Sequence, residues 1–160
     1  MLPTVSICNF EYLGARELRE LSSKPSQTNF TIKIVQQFGI KHREQRGYAA
    51  LVSLPEYYKF ITSDQGEILS YLFDANVRDH LRKIKVNKGI RATLDDPQSE
   101  DFWWLNNGVT VIATKAWNDT NELHIEEPMI VNGLQTSYQL YEYFRQKPDA
   151  AKADSRPLLS

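Results

Sequence analysis

The stretch Leu123–Leu140, LHIEEPMIVNGLQTSYQL, leaves its backbone few choices. Met129, Ile130 and Val131 form a short apolar run that suits a buried strand. Asn132-Gly133 follows, a pair that tolerates positive φ and so signals a sharp turn. Thr136 or Ser137 can cap a helix, and Tyr138, Leu140, Tyr141 and Phe144 supply an apolar stripe at helical spacing. The expectation is strand, turn, helix. The break itself carries Asn132, Gln135 and Thr136, uncharged donors and acceptors at a helix N-terminus. That end exposes free N–H groups and a partial positive charge, which suits an anion such as phosphate. A capped turn with no ligand explains the same residues.

A chain of 160 residues can bury a core of its own, and the reading is a single α+β domain over 1–160, or a fragment of one. The tail Ser155–Ser160 reads as the opening of another strand, so a longer protein is expected to continue after it. The formal net charge of −1 offers no global basic field for nucleic acid. A lone Cys8 excludes an internal disulfide and fits a reducing cytoplasm. No apolar run approaches the ~20 residues of a membrane-spanning helix, and the first residues lack the charged and apolar regions expected of a signal peptide.

Along the chain, Thr4–Leu13 alternates as a strand and Ala15–Ser22 reads as a short helix. Phe30–Ile40 reads as a strand whose register changes at Val35. Lys41–Arg46 is a basic hairpin tip or loop, either solvated or touching phosphate or an acidic partner. Tyr48–Leu54 returns antiparallel, and Pro55 opens a helix carrying Tyr57, Tyr58, Phe60 and Ile61. Asp64-Gln65-Gly66 breaks the chain, and Glu67–Phe73 is buried as strand or helix. Lys83–Gly89 places Ile84 and Val86 in alternation, Ile90–Leu94 looks helical, and Pro97 ends it. Val109–Ala113 and Leu123–Val131 form the expected antiparallel hairpin, with Trp117–Asn121 as a turn. Together these give an antiparallel or mixed sheet of about five or six strands with helices on one face.

Several residues could carry chemistry. In an extended segment Asn76 and Arg78 would share a face, and an Arg beside an Asn makes a fork for phosphate or carboxylate. Arg78 paired with Asp74 or Asp79 is the structural alternative. Asp95, Asp96, Glu100 and Asp101 could hold Mg²⁺, or Ser99 could cap a helix with an acidic first turn. His80 has no His or Cys at ligand spacing, which disfavours zinc. Trp103 and Trp104 precede the turn signal Asn106-Asn107-Gly108.

Four pieces fall in order: Asn76-Val77-Arg78; Val86-Asn87 with Ile90; Phe102 with Asn106-Asn107-Gly108-Val109-Thr110; and Ile130-Val131-Asn132-Gly133 with Gln135-Thr136. In this order and spacing the region from about Leu69 to Phe144 resembles the AIPR family, the abortive-infection phage-resistance proteins of bacteria. The resemblance implies a cytoplasmic phage-defence role and supplies no settled chemistry. The residues of these pieces that could meet a ligand are Asn76, Arg78, Asn87, Asn106, Asn107, Asn132, Gln135 and Thr136. Amides read hydrogen-bond patterns but are neither acids nor bases at neutral pH, so the set favours binding over bond-breaking. The leading expectation is a module that binds a nucleotide or nucleic acid. The alternatives are a protein-interaction or structural module with no ligand, and a metal-dependent nuclease or nucleotide hydrolase using the acidic cluster.

Overall fold

The computed structural model describes residues 27–42, 45–79, 84–96, 108–150, 154 and 156–159. The expected strand Thr4–Leu13 and helix Ala15–Ser22 lie outside them, as do Pro97, Ser99 and the tryptophan pair. Among the described residues the order is β1 (Asn29–Lys33), β2 (Gln36–His42), β3 (Gln45–Ser53), α1 (Leu54–Phe60), a 3-10 segment (Ser70–Asp79) and α2 (Ile84–Asp95). Then come β4 (Thr110–Ile112), β5 (Lys115–Asp119), β6 (Glu122–Glu126), β7 (Met129–Asn132), α3 (Leu134–Gln146) and β8 (Pro157–Leu159). The α+β class expected from the sequence is what the chain adopts.

The strands do not form one sheet of five or six. They divide into β1-β6-β5, β2-β3-β8 and the pair β4-β7, all antiparallel. The division begins at Val35. A single strand with a shifted register was expected across Phe30–Ile40. Instead the chain leaves one sheet after Lys33 and enters another at Gln36. In β1 the alternation is clean, with Phe30 and Ile32 buried between exposed neighbours. β2 and β3 then make the expected hairpin, from Gln36 opposite Leu51 to His42 opposite Gln45. The three sheets share one core. Ile32, Leu123 and Ile125 of the first sheet meet Tyr48, Ala50 and Val52 of β3, Val111 of β4 and Phe60 of α1 around a small apolar gap.

Local chemistry accounts for α1. Ser53 accepts a hydrogen bond from the Glu56 N–H through Oγ, at 3.4 Å, and Pro55 occupies the first turn where no N–H is missed. The expected break at Asp64-Gln65-Gly66 is a tight turn, with Gly66 at φ +77° and a Ser63 N–H to Glu67 carbonyl bond of 2.8 Å behind it. The expected hairpin of Val109–Ala113 with Leu123–Val131 is not formed as one, because Leu123–Val131 divides into β6, which pairs with β1 and β5, and β7, which pairs with β4. Two more expectations fail. Lys83–Gly89 is not an alternating strand: helix α2 already starts at Ile84. Trp117–Asn121 is not a turn either, because Lys115–Asp119 is β5 and only Thr120-Asn121 turns into β6. Alternation of Ile84 with Val86 is too short a pattern to separate the two periods.

The end of the chain is clamped to the middle. Arg156 donates through Nη1 to the Thr93 carbonyl at 3.0 Å and through Nη2 to the Leu94 carbonyl at 3.1 Å. These carbonyls end α2, so the guanidinium caps that helix and meets its partial negative charge. Asp154 holds the same guanidinium at 2.7 Å, and both side chains are largely buried. Backbone bonds complete the clamp, from the Leu54 N–H to the Arg156 carbonyl and along β3–β8. Truncating one partner strands the other charge, which costs about 3 kcal/mol in such settings. Arg156→Ala should lower unfolding stability by that order in a denaturant titration, far more than Arg145→Ala, whose pairing with Glu142 at 3.7 Å is solvent-exposed.

Candidate functional site

The junction Ile130–Ser137 is where the structure concentrates. β7 runs into Gly133, which adopts φ +102° and ψ +13° in the left-handed region, and α3 begins at Leu134. The expected side-chain cap from Thr136 or Ser137 is absent. Both residues lie inside the first turns of the helix, and the cap position belongs to Gly133, which has no side chain. The first backbone N–H groups of a 13-residue helix therefore receive no side-chain cap.

Gly133 is required twice over. Its φ is one that side-chain-bearing residues rarely adopt. A Cβ there would also come within 2.8 Å of Val109 Cγ2, 3.0 Å of Val109 Cα and 3.1 Å of the Gly108 carbonyl. The Asn-Gly turn is thus seated directly on the segment that follows Asn106-Asn107. The register of β4 on β7 reinforces this seat: Thr110 lies opposite Asn132, and Val111 opposite Ile130. One extra residue, Val131, is accommodated on β7 between those pairs. In a regular strand Ile130 and Asn132 would share a face. Here Ile130 is fully buried and Asn132 is exposed, the re-aiming that a bulge produces.

Behind the junction, a buried hydroxyl chain fixes the first turn of α3. Ser137 donates from Oγ to the Gly133 carbonyl at 2.8 Å, and Tyr57 of α1 donates to Ser137 Oγ at 2.6 Å. Burial pushes the Tyr57 phenol well above its ordinary pKa, so it remains a donor. The sequence places Tyr57 on the helix opened by Pro55; its bond across 80 residues to Ser137 leaves no trace in any spacing rule.

The expected site residues fall into three groups. Asn132 and Gln135 are at the junction with their side chains exposed or half-buried, whereas Thr136 is buried. Asn76 and Arg78 belong to the 3-10 segment, which packs against β7, and Asn87 belongs to α2, which packs against α3. The extended backbone that would have put Asn76 and Arg78 on one face does not exist, because 3-10 geometry replaces it. Asn106 and Asn107 lie outside the described residues, directly before Gly108.

The acidic cluster is only partly within the described chain; Glu100 and Asp101 lie outside it, as does His80. Asp95 has both oxygens engaged, by Lys147 Nζ at 2.8 Å and Arg91 Nε at 3.0 Å. Lys147 first and Arg91 second hold its carboxyl below the usual range, against some desolvation. The same two cations stand over the Tyr143 ring at 4.9 and 5.5 Å, which ties the C-terminal ends of α2 and α3 together. Among the described residues no three or more His, Cys, Asp or Glu side chains are grouped so as to hold a metal. Nor is any described helix long and apolar enough to cross a membrane.

The family model described as AIPR protein matches residues 73–155, just over half of the chain. No curated protein and no solved structure matches it.

Two outcomes follow from this geometry. Gly133→Ala must strain φ and displace backbone, so it should cost about 2 kcal/mol or more, whereas Gly66→Ala strains φ alone, its nearest neighbour being Tyr58 Oη at 3.9 Å, and should cost about 1. Parallel urea titrations decide the ranking. Asp95 has a depressed pKa, so its pairing contributes above the unfolded carboxylate pKa and is lost as pH falls through the folded one. The stability gap between the native chain and Asp95→Asn should accordingly be open at pH 7 and close in acid, and thermal unfolding across that range measures it.

Proposed function

The chain belongs to the AIPR family, whose membership implies a part in phage defence by abortive infection, and on that premise we propose that it is a cytoplasmic nucleotide- or nucleic-acid-binding module. The observation that carries this reading is the start of α3. A glycine cap offers its N–H groups no side-chain oxygen of its own at the point where the Asn-Gly turn, β4 and the 3-10 segment converge. Such an end attracts phosphate through its donors and its dipole. In this reading Arg78 adds the permanent positive charge, with Asn132 and Gln135 reading a sugar or base edge. Asn76, Asn87, Asn106 and Asn107 complete the amide set, and Thr136 supports the turn from its buried position.

A second reading, a structural or protein-interaction module with no ligand, draws on a specific observation too. Thr136 is buried and Gly133 is wedged on Val109, so packing alone accounts for part of the motif. A metal-dependent hydrolase finds less support, since Asp95 is already neutralised by two cations.

A thermal-shift screen against nucleoside phosphates, cyclic nucleotides and short DNA and RNA, with and without Mg²⁺, separates the first two. A ligand at about 100 times its Kd adds about 2.7 kcal/mol of stability, a plain rise in Tm. The binding reading expects that rise with one ligand class, and expects Arg78→Ala and Gln135→Ala to abolish it while remaining folded. No rise with any ligand, together with loss of stability in Asn132→Ala, is the outcome expected of the structural module.

A further inference from the structure

Among the described residues, strand β2 is a sheet edge blunted only near its end, by Lys41. It pairs with β3 on one side, and among the described residues it has no neighbour on the other. Edge strands of soluble proteins carry charges, prolines or bulges that discourage further pairing. Val35–Ile40, VQQFGI, carries no charge and no proline. Its Val35 is 67% exposed and its Phe38 62%, with Ile40 also open to solvent. Phe38 and Ile40 lie two residues apart and so share a face, where Ala49 and Gly47 stand opposite them on β3.

We propose that β2 pairs edge to edge with β2 of a second copy of this chain, antiparallel and two-fold symmetric about Gly39. The sequence QQFGIKH is self-complementary in that register. Phe38 comes opposite Ile40 of the second copy, and Ile40 opposite its Phe38, an aromatic–β-branched pair made twice. Gln37 comes opposite Lys41, and Gln36 opposite His42, so no like charges face each other. Moving the axis by half a residue would set Phe38 against Gly39 and turn the apolar face of one copy onto the other face of its partner.

Gly39 itself supports the axis. Its φ is ordinary, and a Cβ built on it meets nothing within 4 Å, so the single chain gives no reason for a glycine there. Glycine inside a strand marks places where another backbone comes close, which the two-fold position supplies. A nearly neutral chain also opposes self-association little.

Sedimentation velocity from low micromolar to submillimolar concentration tests this on the whole chain. A micromolar monomer–dimer equilibrium is expected, as befits a contact built on one seven-residue edge. Ile40→Lys should raise the dimer Kd by at least about tenfold, with the circular dichroism unchanged, because a lysine at an exposed edge opposes pairing. Gly39→Cys in a Cys8→Ser background should cross-link into a disulfide dimer on mild oxidation, since the two positions face each other across the axis. A monomer at every concentration overturns the proposal and returns the edge to another occupant, such as an extended segment of a different protein. A dimer indifferent to Ile40→Lys, or one that Gly39→Cys fails to cross-link, overturns it as well.

Discussion

The contact of Gly133 with the Gly108–Val109 backbone is the constraint that the rest of the arrangement answers to. At under 3.2 Å from three heavy atoms, the position has no room for any side chain. That close approach lets β7 turn out of its pair with β4 and enter α3 in a single residue. The direction of α3 follows, and with it the packing of α1 and α2, both of which lie against that helix. A larger turn would lift Leu140 and Phe144 of that helix off Ile130, with which they are buried in the one core.

Two further devices hold the same helix in place, and they differ in kind. At its start, Tyr57 and Ser137 form a dry hydroxyl relay to the Gly133 carbonyl. At its end, Asp95 of α2 bridges to Lys147 while Arg91 and Lys147 flank Tyr143. The first is buried and indifferent to salt. The second stands partly in water, where ionic strength screens it. The starting turn is therefore held by contacts that salt leaves alone, and the finish by contacts that it weakens.

Much of this was legible where one residue type has one physical use. Pro55 after Ser53, Gly66 in its turn and the strand–Asn-Gly–helix junction were each readable from the chain, because proline and glycine restrict the backbone strongly. The four motif pieces were readable as a set, and the family match over 73–155 covers the same ground. What could not be read was long-range. No local pattern distinguishes a strand that changes register at Val35 from a chain that changes sheets there. Lys33 and Gln36 differ only in which distant partner they meet, Glu122 or Leu51. Ile84 and Val86 fit a strand or a helix equally. The bulge at Val131 and the Tyr57–Ser137 bond depend on two segments meeting, and neither leaves a signature in either segment alone.

The pairing of β1 with β6 joins residues some ninety positions apart, from Phe30 with Ile125 to Lys33 with Glu122, and β3 with β8 joins residues more distant still. The first pair crosses the limit of the family-matched region, since β1 precedes residue 73 and β6 lies within it, and the second joins strands that flank the region on either side. The segment that carries the family's signature consequently has some of its packing partners outside its own limits. It leaves β6 without one neighbour and the Tyr57 relay without its donor. Closing loops of that length before any reward is collected makes for slow folding, with strand edges open in the meantime. The most recognisable part of the chain completes its packing on parts that carry no family signature.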